Sequence, residues 1–246
     1  MSPVTKISRV LVGVDFDDAS ASALKMAGVL ARAWDAEITV FHAAALEVPA
    51  YFTGAQIVAL QAERETSRAA IAARLHALAD QHVARTARVV VGEGPPQDTI
   101  LRMALSFDLI VVGTHRRHGA PRWWLGSVAE AVVRHSPRPI LVVPAAAVVP
   151  DTGTAPTILA AGADGAAADA WVDVLRTSLG GNVVREADIH QCAPDRVRNA
   201  DLIVLSMSTD VGAHARFGPI VRVLKECVHP VLFVPLADGI VERSSS

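Results

Sequence analysis

The chain has 246 residues, 51% hydrophobic and 20% charged, with a formal net charge of −2, which supports a sizeable core and excludes global disorder and a chain drawn as a whole to polyanions. Cys192 and Cys227, the only two cysteines, sit in no CxxC or zinc spacing, so free thiols in a reducing compartment are expected. No apolar run approaches the ~20 residues of a membrane span and the N-terminus lacks a signal-peptide apolar stretch, so the expectation is a cytoplasmic protein with no membrane partner.

Apolar, β-branched runs recur at 9–14 (RVLVGV), 37–43 (EITVFHA), 87–92 (ARVVVG), 108–113 (DLIVVG) and 139–144 (PILVVP). They are continuous rather than alternating, the pattern of strands buried on both faces of a parallel sheet. Helix-period segments separate them. Over 19–34, Leu24, Ala27, Ala31 and Trp34 fall three or four apart, and over 55–82 Leu60, Ile71, Leu75 and Leu78 do much the same. Residues 96–106 and 127–135 are shorter helix candidates. Strands alternating with helices imply an α/β, doubly wound parallel-sheet domain over 1–145.

The stretch AAAVVPDTGTAP (145–156) has prolines, a glycine and no helical period, so 146–156 reads as a linker. The chain then starts again. TILAAGADG (157–165) parallels RVLVGVDFD, ADLIVLSMS (200–208) parallels FDLIVVGTH, and CVHPVLFVP (227–235) parallels SPRPILVVP. This two-copy repeat predicts a second, shortened doubly wound domain over 157–246. It keeps the first strand and helix, one middle strand near 182–188 and the last two strands, and lacks at least one strand–helix unit. The closing ERSSS reads as a disordered tail.

Ligands of open α/β sheets bind beyond the carboxyl ends of the strands, near the point where strand order reverses. Three features of the first copy meet there: Asp15 after the first strand, His42 and Ala43 at the end of the second, and the loop 113–127 after the fourth. The loop reads GTHRRHGAPRWWLGS. Gly113 lets a backbone come close to a ligand, and Ser127-Val128-Ala129-Glu130 matches the capping box S-x-x-E. A helix starting there offers free N–H groups and a positive dipole end to an anion. The Ser127 hydroxyl either caps that helix or donates to a terminal phosphate.

On these residues the sequence resembles the universal stress protein family, as two such domains in tandem. That family carries G-x2-G-x9-G-[ST] after its fourth strand, and many members bind ATP there. Gly113, Gly126 and Ser127 match with the spacing intact, while the middle glycine position holds Arg116. Thr114, His115, Gly119 and Leu125 also fit common family choices. The resemblance covers nearly all of 7–145 and, weakly, 157–236. It implies an adenine-nucleotide alpha-hydrolase-like fold and ATP in the first domain, with Mg2+ if ATP is bound. By that resemblance Asp15 holds the ribose hydroxyls and Ala43 lines the adenine slot, with Val14 and Val112 beside them. Gly113, His115 and Arg116 face ribose and phosphates, and Gly126, Ser127 and Val128 present N–H groups and a hydroxyl to the phosphates. Because members often dimerise through the last strand, it also implies an intrachain pseudo-dimer and a homodimer.

Arg116 leaves two readings open. Its guanidinium can pair with phosphate as a fork of donors. Alternatively its side chain fills the site, leaving a nucleotide-free stress protein that acts by dimerisation and partner binding. A slow ATP hydrolase is a third reading. In the second copy Ser206 replaces the first motif glycine and Gly218-Pro219 the terminal pair, and proline removes an N–H donor. The place of Asp15 falls to Gly162, with Asp164 nearby, so no nucleotide is expected in that half.

No Walker G-x4-G-K-[ST] and no G-x-S-x-G elbow occurs, so no dedicated catalysis is expected. The basic loop sits beside Trp123 and Trp124, but the chain is slightly acidic and the tryptophans read as packing residues, so no nucleic-acid partner is expected. His115 and His118 lack further ligands for a metal. His42 reads as a residue that packs or hydrogen-bonds at a strand end. The stretch LEVPAYFTG (46–54) reads as a lid, an interface or a variable connection.

Overall fold

The apolar runs become strands because helices cover both of their faces. The computed structural model describes residues 6–44, 54–83, 86–114, 126–150, 155–162, 165–189, 192–207 and 228–236, apart from the side chains of 54–59. The first copy runs β1 (Arg9–Gly13), α1 (Asp18–Trp34), β2 (Glu37–Ala44), α2 (Gly54–His82), β3 (Arg88–Glu93), α3 (Pro96–Ala104), β4 (Leu109–Thr114), α4 (Ser127–His135) and β5 (Ile140–Pro144). The second runs β6 (Thr157–Ala161), α5 (Ala166–Leu179), β7 (Asn182–Glu186), α6 (Pro194–Arg198), β8 (Leu202–Met207) and β9 (Val231–Pro235).

The nine described strands form one sheet in the order β3-β2-β1-β4-β5-β9-β8-β6-β7. Every neighbouring pair is parallel except β5 and β9, which run antiparallel with Leu141 opposite Leu232. The second copy therefore mirrors the first across this junction. Its order, β9-β8-β6-β7, repeats β5-β4-β1-β2, and the described residues hold no counterpart of α2 and β3.

Strand side chains alternate between two cores, as the two-residue period of a strand requires. Val10 and Val12 join Leu24, Leu30, Leu75, Trp171 and Leu175 on the face covered by α1, α2 and α5. Leu11 and Ile110 join Ile100, Val132, Val133 and Val197 on the face of α3, α4 and α6. The first of these cores is continuous across the two halves. Trp34 on α1 meets Trp171 on α5 edge-on, with ring centroids 6.0 Å apart, and its indole N–H donates to Ser178 Oγ at 2.6 Å.

The repeat is also visible in a shared polar device. Asp108, just before β4, accepts the backbone N–H groups of Ser8 and Arg9 at 2.8 and 3.0 Å. Asp201, just before β8, accepts that of Thr157 at 2.8 Å. These two Asp-Leu-Ile-Val segments thus tie each fourth-type strand to the start of its central neighbour. Cys192 is a free thiol, and burial, with Glu186 nearby, pushes its pKa up, so it stays protonated at neutral pH. Cys227 lies outside the described residues.

Helix α1 starts at Asp17, whose carboxylate accepts the N–H of Ser20 at 2.7 Å. Asp17→Ala removes that cap and is expected to lower stability by about 0.5–2 kcal/mol, read as a lower urea midpoint at unchanged m-value.

Candidate functional site

The order β2-β1-β4 places a switch point beside β1, since the chain leaves β1 toward β2 and returns to its other side at β4. A cavity of about 200 Å³ opens there. Its wall includes Val14 and Asp15 after β1, His42 and Ala43 from β2, Val112 and Gly113 from β4, and Gly126, Ser127 and Val128 at the start of α4. The structure thus brings together eight of the ten residues singled out from the sequence. His115 and Arg116 lie outside the described residues, as do His118, Trp123 and Trp124, and with them most of the stretch 46–54.

Two of the eight play parts that differ from the expectation. The N-cap of α4 is Gly126, not Ser127, and among the described residues no side chain caps the helix. Gly126 has φ 33°, in the left-handed region that glycine tolerates, and its carbonyl accepts the N–H of Glu130 at 3.0 Å. Glu130 does not reach back to close a capping box. Its carboxylate is held by Arg134 one turn on, at 2.7 and 3.0 Å. Ser127 is consequently the first helical residue and exposed, with its hydroxyl not used as a cap. Gly126 has no side chain to give the first N–H groups of α4, and a helix start presents such N–H groups to an anion.

Gly113 is required by its own fold before any ligand is considered. A Cβ there would stand 2.6 Å from the carbonyl carbon of Ala19 and 2.7 Å from its oxygen. The first turn of α1 rests directly on β4 at this point. Gly113 still lines the cavity, but its missing side chain serves helix–strand contact.

The β1–α1 connection is pinned from several sides. The N–H of Val14 donates to the Phe41 carbonyl at 2.8 Å, and the N–H of Asp15 to Ser20 Oγ at 2.8 Å. Ser20 Oγ donates in turn to Asp17 Oδ1 at 2.7 Å. His42 Nδ1 meets the Val14 carbonyl at 2.7 Å, which fixes the proton on Nδ1 and makes His42 a strand-end hydrogen-bonding residue. Asp15 itself is exposed in the cavity wall.

Sequence reasoning missed Phe16. It has φ 55°, an uncommon conformation for a bulky side chain, of the kind that costs on the order of 1–3 kcal/mol. Its ring packs against the His42 ring, centroids 4.8 Å apart, with the Arg74 guanidinium 4.2 Å above it from α2. No sequence signal marks this, since phenylalanine carries no preference for positive φ.

In the second half the strand register corrects one assignment. Val10 lies opposite Leu109, and Ile158 lies opposite Leu202, so Val14 corresponds to Gly162 and Asp15 to Ala163 rather than Gly162. Either way no carboxylate occupies the matching position. β7 ends in Glu186, which is ion-paired with Arg196 of α6 at 2.6 Å. Among the described residues no helix is long and apolar enough to cross a membrane, and no three His, Cys, Asp or Glu residues form a group that could hold a metal.

The family model of the universal stress proteins matches residues 6–144. A universal stress protein of Mycolicibacterium smegmatis is 26% identical over 214 residues, spanning 85% of this chain and 67% of its own. Among solved structures, a universal stress protein from Archaeoglobus fulgidus superposes with a TM-score of 0.67 at 15% identity, covering 95% of this chain and 98% of its own. A protein of unknown function from Pseudomonas aeruginosa PAO1 gives 0.56 at 14%, covering 93% and 92%. At these identities the solved structures speak to the fold: a mostly parallel α/β sheet that carries over the whole length, both halves included.

Proposed function

The chain belongs to the universal stress protein family, and from that premise we propose that its first half binds an adenine nucleotide, ATP foremost, in a stress-response or signalling role without dedicated catalysis. The observation that carries this reading is the cavity at the ends of β1, β2 and β4, whose wall includes the glycine-led start of α4. Its chemistry is divided to suit a nucleotide. Asp15 offers an acceptor pair for ribose hydroxyls, and Ala43 leaves room for a flat base. Ser127 and the N–H groups that follow Gly126 offer donors to phosphate. Mg2+, where present, would come with the phosphates. Arg116 supplies a further cation to them in this reading.

The nucleotide is confined to the first half. The second half has no carboxylate at the position of Asp15, has Pro219 where the motif needs an N–H donor, and ends β7 in a carboxylate held by Arg196.

Protein purified and then denatured is expected to release adenine nucleotide, and calorimetric titration with ATP is expected to give saturable heat. Neither released nucleotide nor heat at millimolar ATP would sink the reading. Arg116→Gly separates the two roles of that residue: weaker ATP binding supports the phosphate contact, and a gain of binding identifies Arg116 as a block. Asp15→Ala is expected to weaken ATP about ten- to a hundredfold, the value of hydrogen bonds to a charged group. Ser127→Ala is expected to cost less. Unchanged affinity in both variants would remove these residues from the site.

A further inference from the structure

We propose that Phe16 is a positioning residue that turns the Asp15 carboxylate into the ribose pocket; this rests on the nucleotide reading of the first half. Asp15 and Asp17 both line the cavity, yet Phe16 between them does not. Its positive φ makes that possible. With that kink the ring stays out of the cavity wall, packed on His42 and under the Arg74 guanidinium, while its two acidic neighbours line the cavity.

The ring is anchored on both sides by residues fixed independently. His42 is held by the Val14 carbonyl, and Arg74 rides on the long helix α2. Phe16 also packs on the core beneath. The backbone on either side is tied down at Val14, Asp15 and Ser20, so the kink cannot relax by drifting along the chain. A conformation that is unfavourable in itself is thus maintained by a stack that meets the cavity only through His42. What the stack fixes is the direction of the carboxylate next to it.

The test uses the full-length protein and compares ATP with 2′-deoxy-ATP by calorimetry. A correctly aimed carboxylate engages the 2′-hydroxyl, so the wild type is expected to favour ATP about tenfold. Phe16→Ala is expected to bring that ratio close to one while binding of both nucleotides persists. Phe16→Tyr, which keeps the stacked ring, is expected to retain the ratio. Phe16→Gly accepts φ 55° without strain and is therefore expected to fold, and it too should lose the ratio. A wild-type ratio of one, or an Ala or Gly variant that keeps the wild-type preference or weakens both nucleotides equally, overturns the positioning role and leaves nucleotide binding intact. A wild type that binds neither nucleotide overturns the nucleotide reading, and the positioning role with it.

Discussion

Trp171→Ala is expected to destabilise the protein by about 3–5 kcal/mol and to lower its melting temperature by about 6–20 °C. Trp171 is 2% exposed and is the largest of the fully buried side chains among the described residues. Truncation leaves a cavity in the core shared by α1, α5 and the sheet, and neighbours already held by a nine-stranded sheet have little freedom to close it. The ring also lies at the seam between the halves. Without it, Trp34 loses its edge-on partner and keeps the Ser178 hydrogen bond across the seam. Trp34→Ala, at a half-buried position, is expected to cost less. Thermal denaturation of the two variants checks the order. A Trp171→Ala protein within about 1 kcal/mol of wild type would show that the seam is not held by this residue.

Gly113→Ala is expected to cost about 1–3 kcal/mol or more, and to do so in protein free of nucleotide. Two accounts of this glycine make different predictions. If it serves a ligand's approach, the apo protein tolerates a methyl group and only binding suffers. If it serves the approach of α1, stability falls whether or not nucleotide is present. The Cβ would meet backbone atoms of Ala19 at 2.6 and 2.7 Å, and backbone in the first turn of a capped helix cannot rotate away as a side chain can. Melting curves of stripped protein decide between them; an unchanged curve rules out the helix-contact account.

The strands were legible because their signal is local and redundant. Five apolar runs of the first copy and three of the second are continuous, and each forms a strand, as does the more polar middle segment β7. The repeat was legible for the same reason, through Asp108-Leu109-Ile110 and Asp201-Leu202-Ile203. The five-residue helix α6 was missed, since Pro194–Arg198 is too short to show a period. The capping box at Ser127 misled because the pattern is blind to competition: Glu130 has a partner at Arg134 one turn ahead, and the glycine before Ser127 takes the cap. The purpose of Gly113 depends on Ala19, and the setting of Phe16 on His42 and Arg74. Such pairings are made by the fold and leave no trace in local spacing. The candidate site was read through the few residues that line the cavity, while the residues that hold those in place stayed hidden.

The antiparallel meeting of β5 and β9 bears on how molecules of this protein can associate. A strand edge is a binding valence, and a single copy of the repeat would end on an open one. Two copies in one chain meet at an effective concentration on the order of millimolar, so the two valences saturate each other within the molecule. The sheet has no last-strand edge left to share. Among the described strands the free edges are those of β3 and β7. The shortened copy acts in this respect as a chain terminator, keeping a sheet that would otherwise seek a partner closed to further growth at its centre.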